Sequence, residues 1–136
     1  MIKEINTDIT ILQLKAQPAD ANDIAIADDL METLRAHAES CVGMAANMIG
    51  IPKAIIAFNN DGVYMEMFNP VITQKSGSYE TDEGCLSLTG QHKTRRFQYI
   101  KVRWQDRQMV SHVKRFSGWT AQIIQHEIDH LDGILI

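Results

Sequence analysis

The sequence predicts an α+β fold: a single domain over residues 1–136, with an N-terminal helix and a mostly antiparallel β-sheet packed around a C-terminal helix. Three patterns predict it. Apolar residues recur at helical spacing early in the chain, they alternate with polar ones through its middle, and the helical spacing returns at its end.

Taken in order, DIAIADDLMETLRAHAES (from Asp23 to about Ser40) sets Ile26, Leu30, Met31, Leu34 and Ala38 three and four apart. Asn22 or Asp23 can cap its first turn. The next segment, CVGMAANMIG, is small and apolar, with Gly43 and Gly50 marking tight backbone. KAIIAF (53–58), VYMEMF (63–68) and PVITQ (70–74) read as strands, the first two joined by the turn NNDG. FQYIKVRWQ (97–105) alternates, then turns at Asp106 and Arg107 towards QMVSHVKRF (108–116) to make a hairpin. Ser117 can cap a last helix, from Gly118 to about Leu131.

Composition narrows the class. With 45% apolar and 22% charged residues the chain is an ordinary soluble globular protein, and its formal net charge of -4 argues against a nucleic-acid or anionic-membrane partner. Two cysteines, Cys41 and Cys85, are too few for a disulfide framework. No secretory apolar segment opens the chain, and no run approaches the roughly 20 apolar residues that span a bilayer. A cytoplasmic protein with reduced thiols is expected.

Chemistry concentrates in QHEIDHLDG, residues 125–133. At about 100° per residue, His126 and His130 stand roughly 40° apart on the last helix, so both imidazoles can reach one ion. The C-terminal helix is therefore read as metal-binding. Glu127 projects beside the ion, where a general base for an activated water belongs. Trp119, Gln122 and Ile123 fall on the histidine face and should line a pocket, while Ile124, Ile128 and Leu131 face a core. A zincin would take its third ligand downstream, but only LDGILI remains and Asp132 lies about 200° round from His130. The third ligand must come from upstream. Cys85, in DEGCLSLTG, is the leading candidate, since a thiolate binds iron(II) or zinc strongly and Gly84 leaves room for close approach. Cys41, in SCVGMAAN, competes for the role but sits in small apolar sequence that reads as core.

Three segments together, CVGMAANMIG, EGCLS and QHEIDH, resemble in order and spacing the three motifs of peptide deformylases. These metallohydrolases remove the formyl group from the N-terminal methionine of new bacterial chains. HLDGIL and LMETLRAH also resemble the family, so the likeness covers nearly the whole chain. It implies one divalent ion, natively iron(II), held by Cys85, His126 and His130, although zinc, nickel and cobalt suit the same ligands. It implies that a metal-activated hydroxide attacks the formyl carbon, that Glu127 carries the proton to the departing amine, and that the Leu86 backbone N–H helps hold the oxyanion. Formyl-peptides or other N-acyl peptides are the implied substrates. Gly43 matches a glycine that lets the substrate backbone lie close, and Arg96 an arginine near the peptide groove.

The first motif departs from G-x-G-x-A-A-x-Q. Cys41 stands for its first glycine and Met48 for its glutamine, whose amide would donate to the developing oxyanion; a thioether donates nothing. Losing one such donor costs roughly 10²–10³ in rate in a protease. Gln122 also departs, standing where the pocket for the first side chain is usually apolar. Many relatives continue past the position of Ile136, so a ribosome contact through such a tail is not expected, and ribosome contact in general is left open. These departures keep an alternative in view, a deformylase-like protein that acts on other N-acyl peptides or only binds peptides.

Overall fold

Five strands pair in chain order into one antiparallel sheet: β1 (Gly43–Ala45), β2 (Ile55–Asn60), β3 (Val63–Cys85), β4 (Leu88–Gln105) and β5 (Ser111–Ser117). Among the described residues three α-helices accompany them, α1 (Ile9–Leu12), α2 (Ile24–Ala36) and α3 (Gly118–Leu131). This computed structural model describes residues 1–85 and 88–135. The α+β class is the one the sequence predicts.

Strand β2 explains the layering. Ile55, Ile56, Ala57 and Phe58 are all buried, which a strand achieves only when both sheet faces are covered. Ile56 and Phe58 pack with Ala121, Ile123, Ile124 and Leu131 of α3. Ile55 and Ala57 pack with Ala27, Leu30 and Leu34 of α2. The alternation of a strand thus feeds two cores, one under each helix. Burying a side chain of Phe58's size contributes about 1.5–3 kcal/mol. Between β2 and β3 the turn is the two-residue Asp61-Gly62, both at positive φ (50° and 94°), as the sequence signal implies.

Several boundaries differ from the sequence reading, each for a local reason. Asp23 occupies the N-cap position of α2, as expected, but makes no capping bond to it; the bonds lie one turn earlier, where Asp20 accepts from the Asn22 N–H while Asp23 accepts from the Asp20 N–H. This box starts a 3₁₀ turn, Ala21–Asp23, and α2 follows from Ile24, ending at Ala36 rather than near Ser40. Asn69, at φ 53°, carries the chain past Pro70 without ending the strand, so the two strands expected at 63–68 and 70–74 are one. Strand β3 then runs on to Cys85 against β4, pairing Ser78 with Phe97, Glu80 with Arg95 and Asp82 with Lys93. This distal ribbon is polar and largely exposed, so no hydrophobic alternation announces it; backbone pairing and opposed charges hold it. Strand β5 begins only at Ser111, because the Asp106 carboxylate accepts from the N–H groups of Gln108 and Val110 and shapes a wider turn. Ser117 occupies the N-cap position of α3, but its hydroxyl makes no capping bond.

Two amide contacts seat α3. Gln125 accepts from the Phe97 N–H and donates to the Phe97 carbonyl, both at 2.8 Å, fastening the helix to β4 like an extra strand residue. Asn47 donates to the His130 carbonyl at 2.7 Å, tying the end of α3 to the turn after β1. Among the described residues no helix is long and apolar enough to cross a membrane.

Candidate metal centre

The ligand-bearing atoms of Cys85, His126 and His130 all lie within 4.8 Å of one another, and they are the one such group among the described residues. The two histidines come from successive turns of α3, so their Nε2 atoms sit 3.1 Å apart. Cys85 comes from the end of β3, where the polar ribbon swings its tip over the helix. A tetrahedral ion with bonds of roughly 2.0–2.3 Å sets its ligand atoms about 3.3–3.8 Å apart, so the cluster fits one with small adjustments. Soft sulfur with two imidazoles suits iron(II), zinc, cobalt or nickel.

Behind the cluster stands a charged network of which sequence reading singled out only Arg96 and Gln122, and those as groove residues. Glu83 accepts from Nδ1 of His126 at 2.7 Å, which leaves Nε2 directed at the ligand group. Arg96 grips both Glu83 oxygens, at 2.7, 3.0 and 3.2 Å, and reaches Asp129 with its other arm at 2.7 Å. Arg96 and Glu83 are only 3% and 8% exposed, so the ion pair is desolvated and each partner needs the other. Burial opposes charge on Glu83, but the bonds to His126, Arg96 and Gln122 hold it well down, to about 2. Burial likewise opposes a proton on His126, yet Cys85 and Glu83 hold it up at about 10. His130, fully buried with His126 and Arg96 nearby, is pushed down to about 3 and stays neutral.

Glu127 lies on the same helix turn and is buried, with its Oε1 lacking a hydrogen-bond partner among the described residues. Burial pushes its carboxyl up to about 7, against the pull of His126. An unpartnered, desolvated carboxylate beside a ligand group is poised to take and return a proton.

A groove of about 630 Å³ opens over these atoms, walled by Cys41, Val42, Gly43 and Met48 on one side and by Trp119, Gln122 and Ile123 on the other. The expected substrate-facing residues thus mostly converge, with corrections of detail. Met48 lines the groove while only 1% exposed, and presents a thioether where the resemblance implies an amide. Gly43 meets the helix at close range: a Cβ there would stand 2.8 Å from Oε2 of Glu127 and 2.8 Å from Ile123. Its missing side chain therefore makes room for the protein's own carboxylate. Arg96 does not line the groove, because its guanidinium is committed to Glu83 and Asp129 behind it. Gln122 is bonded into the wall, donating to Glu83 and accepting from Tyr79, rather than loose at the mouth. Cys41 lines the groove but is outside the ligand group; its thiol donates to the Gly43 carbonyl, and burial pushes it up to about 12, so it remains a thiol. Leu86, whose N–H was expected at the oxyanion, lies outside the described residues. Tyr79 and Glu83 fall outside the strands predicted from sequence and were missed, since their roles depend on the β3–β4 register.

Comparison with known proteins agrees with this geometry. Residues 2–136 match the family model described as polypeptide deformylase. A curated peptide deformylase of Clostridium beijerinckii is 50% identical over 136 residues, covering 100% of both chains. Among solved structures, a peptide deformylase from Thermus thermophilus superposes with a TM-score of 0.89 at 36% identity, covering 99% of this chain and 84% of that one. The Met-Ala-Ser-bound class I type b peptide deformylase from Acinetobacter baumannii also gives a TM-score of 0.89, at 29% identity and with 99% and 97% coverage.

Proposed function

The chain belongs to the peptide deformylase family, and on that premise we propose that it hydrolyses the formyl group from N-formylmethionyl peptides as one catalytic domain, residues 1–136, in the cytoplasm. The observation that carries the reading is the convergence of Cys85, His126 and His130 beside a buried Glu127 with a free oxygen.

Cys85, His126 and His130 would hold one divalent ion, natively iron(II). When bound, such an ion supplies Lewis-acid polarisation and brings the pKa of water down to roughly 7. The remaining work belongs to the chain. Glu83, clamped by Arg96, holds the Nδ1 proton of His126 and so fixes the ring that presents Nε2. Glu127 accepts the proton of the attacking water on Oε1 and returns it to the amine as the C–N bond breaks; its position near the neutral range allows both transfers. Gly43 leaves the space in which that carboxylate stands. Trp119, Ile123 and Gln122 receive the substrate's first side chain in the groove wall. Met48 offers the oxyanion no hydrogen bond, because a thioether has no donor.

The test is formate release from formyl-Met-Ala-Ser by iron-loaded protein under anaerobic conditions, beside acetyl-Met-Ala-Ser. Turnover of the formyl peptide with little on the acetyl peptide is expected. Failure on the formyl peptide with one ion bound per chain would contradict the proposal.

A further inference from the structure

The side chain of Gln122 is held at both ends. Its Nε2 donates to Oε2 of Glu83 at 2.8 Å, and its Oε1 accepts from the Tyr79 hydroxyl at 3.2 Å. Glu83 is itself fixed by the paired bonds of Arg96. A glutamine on a helix surface would ordinarily swing towards water, but this one would forfeit a charge-assisted bond by doing so. A primary amide offers two N–H groups and two lone pairs, and one of each is used here. One donor and one acceptor therefore remain at a fixed point in the groove wall, flanked by the apolar surfaces of Ile123, Val42 and Trp119. Gln122 lies one helical turn before His126, so this point is next to the ligand group.

We propose that Gln122, locked by Tyr79, is a specificity-determining residue that lets the first side-chain subsite accept methionine sulfoxide as well as methionine at the head of a formylated peptide. The inference rests on the function proposed above. Oxidation turns an apolar thioether into a strong hydrogen-bond acceptor. In a wholly apolar wall the sulfoxide oxygen would be buried unpaired, and discrimination against such a group reaches tens- to hundreds-fold. The spare N–H of Gln122 gives that oxygen a partner, while the aliphatic part of the wall still receives the unoxidised side chain.

The experiment compares formyl-Met-Ala-Ser with its sulfoxide, each epimer separately, on the metal-loaded protein, Gln122→Leu and Tyr79→Phe. It reads the ratio of kcat/KM for sulfoxide over thioether. The same ratio is read as Kd for the deformylated peptides Met-Ala-Ser and its sulfoxide, which needs no turnover. We expect the unaltered protein to favour the thioether by less than about tenfold on at least one epimer. Gln122→Leu should lower the sulfoxide-to-thioether ratio by about tenfold or more, and Tyr79→Phe by less. An unchanged ratio in Gln122→Leu, in turnover or in binding, overturns the inference. Should the protein turn over neither peptide, the proposed function fails, and the binding ratios still decide the role of Gln122. Melting temperatures of the variants separate loss of fold from loss of preference.

Discussion

Met48 stands where the motif resemblance implies a glutamine, and a thioether cannot donate a hydrogen bond. It lines the groove at 1% exposure and packs with Met44, Ala46 and Phe68 on the α2 side of the sheet. Met48→Gln would place an amide donor where the oxyanion forms, at the cost of burying a polar group in an apolar cluster. We predict a rise in kcat of about tenfold or more, below the 10²–10³ of a protease donor because a bound ion already shares the charge. The same variant should lose about 1–2 kcal/mol in urea unfolding, as the amide is desolvated. An unchanged kcat would show that the oxyanion develops out of Met48's reach. At this scale the sequence was informative wherever chemistry is carried by residue type: Cys85, Glu127, His126, His130 and Met48 were all identifiable from motif and helical spacing. Gly43 was identifiable as a glycine, but what fills the space it leaves, the carboxylate of Glu127, required the packing of β1 against α3.

Among the elements, the distal part of the β3–β4 ribbon was the least legible. SGSYETDEG carries no strand pattern because its stabilisation comes from pairing with β4 rather than from a buried face. Yet that ribbon brings Tyr79 opposite Arg96 and sets Glu83 behind His126. Arg96 could be picked out by motif as an arginine near the groove; its actual task, neutralising a buried carboxylate, depends on strand register and on Asp129 of α3. Arg96→Ala would strip the guanidinium from Glu83 in a desolvated site, leaving that carboxylate only the bonds from His126 and Gln122 and leaving Asp129 without its Arg96 contact. A loss of about 3–5 kcal/mol is predicted from equilibrium urea unfolding of the metal-free protein, measured at neutral pH. A loss below about 1 kcal/mol would mean that the pair is solvated or that the ribbon relaxes away from α3. By contrast, α3 was readable to the residue and α2 and β2 to within a few residues at their ends, because each has an apolar stripe or run facing one of the two cores.

For the molecule as a whole, the three candidate ligands join the tip of the ribbon to the helix that closes the core, so an ion would tie together elements far apart in sequence. Binding to the folded state alone raises stability by mass action, by about 2.7 kcal/mol when the free ligand stands at a hundred times its Kd. Removing the metal should lower Tm by several degrees, and adding cobalt or zinc should restore it. In Cys85→Ser the restored increment should shrink. Equal increments in both proteins would place the ion elsewhere. The overall class and the identity of the candidate site were legible from sequence because both rest on local periodicity and spacing. The groove residues on α3 and in the first motif were legible for the same reason; the Tyr79–Gln122–Glu83–Arg96 bonding behind them was not, since it joins strands and a helix that meet only in the fold. The most direct test of the account is kcat/KM for formyl-Met-Ala-Ser on iron-loaded protein beside Glu127→Ala, with metal content measured in both. A fall of at least about 10²-fold in the variant at equal metal content is predicted, the scale of a lost general acid–base. Equal rates in the two proteins would contradict the role given to Glu127, and with it the mechanism.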